Sequence, residues 1–94
     1  MIHFQHFNFN VLDLEKSLTF YKNALDLEVV REYVPEDGSF KLVYLGDGKT
    51  PFQLELTWLR DRTDPYNLGE CEFHLALVTD DYEDLHARHQ EVGW

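Results

Sequence analysis

Three residues of types that bind divalent transition metals lie on predicted strands. Each is on the polar face of its strand, and the opposite face is apolar. They are His6, Glu55 and His74. Two imidazole nitrogens and one carboxylate oxygen suit Zn²⁺, Ni²⁺, Co²⁺ or Fe²⁺. A strand histidine is also a common half-buried polar residue, so each residue taken singly has a structural explanation as well. The metal hypothesis is favoured because all three would project from the open face of one sheet.

Hydrophobic periodicity predicts the elements that carry the first two of these residues. Apolar and polar side chains alternate along strands, and apolar positions spaced by three and four residues mark a helix that Asp13 caps. Pro and Asp-Gly pairs mark the turns between strands. The predicted elements are a strand over 3–11, a helix over 14–25, a hairpin over 28–34 and 40–45, and a strand over 52–58. Their order is β-α-β-β-β.

The second part of the chain repeats the opening of the first. An offset of 68 residues superposes His6 on His74 and Asp13 on Asp81. The pattern predicts a strand over 71–78 and a helix that ends at Gly93. We therefore expect an α+β fold with a complete βαβββ module over 1–60, a linker over 61–70, and the first strand and helix of a second, incomplete module over 71–94.

Composition narrows the class of protein and its partners. The 94 residues carry a net charge of −10, with a sequence pI near 4.7, so phosphate backbones and anionic membranes are poor partners. At 44% hydrophobic the chain can form a core. A single cysteine, Cys71, and an N-terminus without signal-peptide features predict a cytoplasmic protein.

Three motifs resemble the glyoxalase I-like members of the vicinal oxygen chelate superfamily. The stretch HFNFNVLDLEKSLTFY, from His6 to Tyr21, is similar to the family's opening, in which a histidine strand leads through an aspartate cap into a helix. Leu54-Glu55-Leu56-Thr57 and Phe73-His74-Leu75-Ala76-Leu77 resemble the family's next two metal-ligand strands. The resemblance implies paired βαβββ modules and a homodimer whose metal sites form between modules of different subunits.

The resemblance also implies a reaction and a set of ligands. His6, Glu55 and His74 would bind the metal, with Ni²⁺ or Zn²⁺ favoured and Co²⁺, Mn²⁺ or Fe²⁺ acceptable. A glutamate at position 55 favours the glyoxalase I reaction, in which a small-molecule hemithioacetal of a 2-oxoaldehyde, such as that of methylglyoxal, becomes a 2-hydroxyacyl thioester. Glu55 would also serve as the catalytic base, since a carboxylate beside a metal can move a proton between adjacent carbons.

The chain departs from the family pattern at two places. The fourth ligand would fall at position 123, beyond the 94 residues, so the site would be completed by water, by another chain, or by nothing. Asn10 and Leu59 stand where the family usually contacts glutathione, which leaves the identity of the thiol open. Two other functions of the same superfamily also stay open: an Fe²⁺ extradiol-type dioxygenase, and a small-molecule (antibiotic) binding protein without catalysis.

Overall fold

The predicted β-α-β-β-β order is present in the first 59 residues. A computed structural model describes residues 1–93, and Trp94, the end of the predicted second unit, lies outside the described residues. The elements are β1 (His6–Val11), α1 (Leu14–Leu25), β2 (Glu28–Tyr33), β3 (Phe40–Gly46), β4 (Gln53–Leu59) and α2 (Tyr82–Glu91). No helix in residues 1–93 is both long enough and apolar enough to cross a membrane.

The strands form a single four-stranded sheet in the order β1-β4-β3-β2. After β1, helix α1 carries the chain across to the far edge, and β2, β3 and β4 then return as an antiparallel meander. The meander ends with β4 beside β1 in parallel, with Asn8 opposite Glu55. The first and last strands of the unit, which carry His6 and Glu55, are therefore neighbours.

One face of the sheet is apolar and covered by α1. Val43 and Leu56, on the two central strands, are completely buried, and the neighbouring leucines complete the core. Leu14 of α1 is buried in the same cluster. Leu18, Tyr21 and Leu25, on the apolar side of the helix, pack against it. Burial of a leucine or valine side chain stabilises a fold by roughly 1.5–3 kcal/mol. The opposite face carries the polar side chains and remains open.

Both ends of α1 are capped by aspartates. The Asp13 side chain accepts a hydrogen bond from the backbone N–H of Lys16 at 3.0 Å, as an N-cap does. At the other end Asp26 adopts the left-handed conformation, with φ 57°, and its backbone N–H donates to the carbonyl of Lys22. These caps define the helix that links β1 to the far edge of the sheet.

A β-bulge in β2 changes which way the second half of this strand faces. Val29 pairs with Leu45 and Arg31 pairs with Tyr44, so Val30 is the extra residue. Simple alternation would put Arg31 on the apolar face with Val29, and the bulge returns it to the open face. Gly46 accommodates the bulge, because a Cβ there would lie 3.1 Å from a methyl group of Val30.

The predicted strand over 71–78 is wrong. These residues have no strand partner among residues 1–93, and the only sheet there contains β1 to β4. A β-strand forms only when its backbone is hydrogen-bonded to a neighbouring strand. The alternating pattern predicts which side chains share a face, but it does not supply that neighbour. Cys71, with φ 54°, begins the segment in the left-handed region. Leu75 packs against the core.

Helix α2 contacts the C-terminal end of α1. The Arg88 guanidinium donates to both carboxylate oxygens of Asp26, at 3.1 and 3.3 Å. Nε2 of His89 lies 2.6 Å from the carbonyl oxygen of Ala24, one of the last carbonyls of α1. The second part of the chain is thus attached beside the first unit, away from the open polar face.

Candidate metal centre

A row of polar side chains crosses the open face of the sheet. Strand pairing puts Asn8 of β1 opposite Glu55 of β4, Glu55 opposite Tyr44 of β3, and Tyr44 opposite Arg31 of β2. His6 precedes Asn8 by two residues and so lies on the same face. Four strands therefore contribute one contiguous set of groups, with the Glu55 carboxylate near its middle.

Glu55 is the only charged residue among 1–93 that is buried, with 8% of its surface exposed. Burying a carboxylate costs free energy unless polar groups contact it, and here several do. Asn8 Nδ2 donates to Glu55 Oε1 at 2.7 Å, and the Tyr44 hydroxyl forms a hydrogen bond with the same carboxylate. His6 Nε2 lies 3.8 Å from Oε1. The carboxylate is held in place while one side faces the histidine.

The orientation of His6 suits metal binding. Its Nδ1 lies 2.7 Å from the side-chain oxygen of Gln5, which only accepts hydrogen bonds. In the neutral ring Nδ1 therefore carries the proton, and Nε2 has its lone pair free on the side of Glu55. Two ligand atoms each bound at about 2.0–2.2 Å from one ion lie at most about 4.3 Å apart. The separation of 3.8 Å between His6 Nε2 and Glu55 Oε1 fits this limit.

Tyr44 and Arg31 extend the centre toward β2. The hydrogen bond with Glu55 is the main reason that the pKa of Tyr44 is raised, with burial and the negative charge of Glu55 adding to it. The Arg31 guanidinium lies over the Tyr44 ring, 3.9 Å from its centre, and opposes this shift. The His6 ring contacts Tyr44 edge-on, with 5.6 Å between ring centres. Tyr44 stays protonated at neutral pH and is a hydrogen-bond donor to Glu55.

The third predicted ligand, His74, is not part of this cluster. It lies in the unpaired segment before α2 and is exposed to solvent. Within residues 1–93 no three His, Cys, Asp or Glu side chains lie close enough together to bind one ion. A single chain thus brings together His6 and Glu55, two of the three predicted ligands.

Sequence reasoning missed three members of this polar row. Asn8 is on the polar face that alternation predicts for β1, so its position was available from the sequence, although its contact with Glu55 was not. Tyr44 is found only when the register between β3 and β4 is known. Arg31 reaches this face only because of the bulge, which no pattern in the sequence indicates.

Comparison with known proteins gives consistent matches. The sequence profile of the Glyoxalase/Bleomycin resistance protein/Dioxygenase superfamily matches residues 3–93. A lactoylglutathione lyase of Neisseria meningitidis serogroup A is 38% identical over 92 residues, which cover 94% of this chain and 64% of that protein. A probable lactoylglutathione lyase of Synechocystis is 38% identical over 80 residues, covering 81% of this chain and 59% of that protein. The chain therefore spans less than two thirds of the length of these curated relatives.

Solved structures share the fold. The trypanothione-dependent glyoxalase I of Leishmania major superposes with a TM-score of 0.83 at 27% identity, covering 98% of this chain and 67% of that one. Glyoxalase I of Zea mays is 31% identical, with a TM-score of 0.55, over 63% of this chain and 22% of that one. The fosfomycin resistance protein FosX of Listeria monocytogenes, at 18% identity and a TM-score of 0.66 over 97% of this chain and 71% of that one, shows the fold alone. The predicted α+β vicinal oxygen chelate architecture is confirmed.

Proposed function

Because the chain belongs to the Glyoxalase/Bleomycin resistance protein/Dioxygenase superfamily, we propose that it is a glyoxalase I-like lyase that depends on a divalent metal. Its substrate is the hemithioacetal of a 2-oxoaldehyde, such as methylglyoxal, and a thiol, and its product is the 2-hydroxyacyl thioester. Similarity to proteins named lactoylglutathione lyase supports this reaction. The observation that carries the proposal is the facing pair of His6 Nε2 and Glu55 Oε1, 3.8 Å apart on the open face.

His6 and Glu55 are the residues that would hold the metal, and their chemistry fits Ni²⁺ or Zn²⁺ best, with Co²⁺, Mn²⁺ and Fe²⁺ also acceptable. When bound, the metal would act as a Lewis acid toward the substrate oxygens. Gln5 accepts a hydrogen bond from Nδ1 of His6, which orients Nε2 of the ring toward Glu55. Glu55 presents a negatively charged oxygen in a largely dry position.

Glu55 would also move the proton. The reaction moves the carbon-bound proton from the hemithioacetal carbon to the adjacent carbonyl carbon, and the hydroxyl proton from the first oxygen to the second. A single carboxylate can carry the carbon-bound proton from the first carbon to the second. The hydrogen bond from Asn8 holds Glu55 in place, and Tyr44 lies opposite Glu55 on the neighbouring strand. Burial at 8% exposure limits exchange of that proton with water.

His74 of a second copy would be the third ligand, in a homodimer. The residue is exposed and lies in a segment whose backbone has no strand partner within residues 1–93. Phe73, Leu77 and Val78, on either side of it, are more than half exposed, which is costly for an isolated chain. A second copy would cover these side chains and bring its own His74 toward the open face. The same proposal assigns residues 1–60 and 71–94 to two modules joined by 61–70, in a cytoplasmic protein.

Metal content and turnover test this function. The purified chain is expected to take up Ni²⁺ or Zn²⁺ and to convert methylglyoxal with glutathione or another thiol to a thioester. Glu55→Gln keeps the shape and the acceptor for Asn8 but removes the negative charge, so it should lose both metal and turnover. His3→Ala, at an exposed residue outside the polar row, is the matched control and should keep both.

Three outcomes would contradict the proposal. Glu55→Gln that retains metal and turnover would mean that Glu55 has neither role. A chain that binds no metal but binds drug-like small molecules would be a non-catalytic binding protein of the same superfamily. Fe²⁺-dependent ring cleavage of a catechol would instead identify an extradiol-type dioxygenase.

A further inference from the structure

We infer that Asn8 is a positioning residue that fixes the Glu55 carboxylate for metal binding. This inference rests on the proposed function, since it names a residue that tunes the same site. Asn8 does not itself supply a ligand atom in the proposal. Its role is to restrict Glu55 to the orientation in which Oε1 faces His6.

Both hydrogens of the Asn8 carboxamide are used. Nδ2 donates to Glu55 Oε1 at 2.7 Å and to Thr57 Oγ1 at 2.6 Å. Strand register puts Asn8 directly opposite Glu55, and Thr57 follows on the same face of β4. Rotating the carboxamide by half a turn would point its oxygen at the carboxylate, which is unfavourable. The Asn8 side chain therefore has one preferred orientation, with its amino group between the two acceptors.

The position of Glu55 follows from that orientation. A hydrogen bond to a charged acceptor is stronger than one between neutral groups, so the contact at 2.7 Å holds the carboxylate firmly. Tyr44 contacts the carboxylate from the neighbouring strand β3. Glu55 thus has polar neighbours on both adjacent strands of the row that crosses the sheet. A ligand already held in its binding orientation loses less conformational entropy when an ion binds.

Titration calorimetry with Zn²⁺ and with Ni²⁺ tests the inference on the purified protein. Asn8→Leu has nearly the same shape but no donor, and should weaken metal affinity by about 10–100-fold, as the loss of groups that orient metal ligands does. Thr57→Val keeps the bond between Asn8 and Glu55 and should stay within about threefold of wild type. Asn23→Leu makes the same chemical change at an exposed position of α1, outside the polar row, and should also stay within about threefold in metal affinity.

A second measurement separates positioning from general structural damage. Metal-free Asn8→Leu should still unfold cooperatively, with a Tm lowered by about 4–8 °C, because the buried Glu55 carboxylate loses one hydrogen bond. In the metal-free protein the side-chain amide NMR signals of Asn8 should move in Glu55→Gln, because the charge on its acceptor is removed. The signals of Asn10 should move much less.

The outcomes distinguish this inference from the proposed function. If Asn8→Leu binds metal like wild type while Glu55→Gln does not, the positioning role is wrong and the proposed function stands. Asn8 signals that do not respond to Glu55→Gln would overturn the hydrogen bond on which the inference depends. A wild-type chain that binds neither ion would overturn the metal-dependent function and this inference together.

Discussion

The separation of His74 from the His6 and Glu55 pair leads to a prediction about which subunit supplies each ligand. If a site takes His6 and Glu55 from one chain and His74 from another, a chain without Glu55 and a chain without His74 can together form one intact site. The perturbation is a mixture of equal amounts of Glu55→Gln and His74→Ala chains, refolded together. Neither variant alone contains a complete site.

The expected magnitude follows from this geometry. Random pairing makes about half of the dimers heterodimers, and in a two-fold dimer each has one site with both substitutions and one site with neither. About one site in four, counted over all chains, should then bind metal tightly, against none in either variant alone. A site built from a single chain would give none in the mixture as well. The assay is tightly bound Ni²⁺ or Zn²⁺ per chain after exhaustive dialysis.

A second mixture is the control, and its outcome is also determined by the geometry. Wild-type chains are refolded with equal amounts of the double variant Glu55→Gln/His74→Ala. A site shared between subunits leaves only wild-type homodimers intact, about one site in four, whereas a single-chain site leaves about one in two. No metal in the first mixture together with half occupancy in the second would refute the shared site.

Three further predictions concern the site and the fold. Glu55→Gln should lower the pKa of Tyr44 toward its ordinary value, because it removes the negative charge and weakens the hydrogen bond that raise it; phenolate absorbance during a pH titration measures this. Asp13→Ala should lower the free energy of unfolding by about 1 kcal/mol and the Tm by about 4–8 °C, because the backbone N–H of Lys16 loses its acceptor. Backbone N–H groups of the following turn donate hydrogen bonds to Asp47 and lower its pKa. The ionised form of Asp47 therefore stabilises the fold above the pKa of the unfolded chain, which is about 3.9. This stabilisation is lost as the pH falls through the lower pKa of the folded protein. In urea melts the stability difference between wild type and Asp47→Asn should therefore be present at about pH 6 and shrink by about pH 2.5.

Each of these predictions has a result that would contradict it. A Tyr44 titration that is the same in Glu55→Gln and wild type would mean that the two side chains do not interact in solution. An unchanged Tm in Asp13→Ala, with Glu15→Ala as a control on the same first turn, would mean that the cap is not formed. A stability difference at Asp47 that does not vary with pH would mean that its charge contributes nothing.

The prediction of the first module was accurate because its signals are local. Alternation in β1 depends only on neighbouring residues, so His6 was correctly assigned to the polar face. The spacing of apolar residues in α1 likewise follows from helix geometry, and the Asp13 cap was recognised from its position. The strand predicted over 71–78 was wrong because a strand needs a hydrogen-bonded partner. That partner is not determined by the local alternation of the sequence.

The sequence by itself determined which residues of β1 and β4 face the open side of the sheet, and so predicted His6 and Glu55 as potential ligands. Only the tertiary structure decided that these two side chains face each other, that Asn8 and Tyr44 hold Glu55, and that His74 lies elsewhere. The physical reason is that the face on which a side chain lies follows from local backbone geometry. Its neighbours on adjacent strands depend instead on register, on the bulge at Val30 and on the order of strands in the sheet.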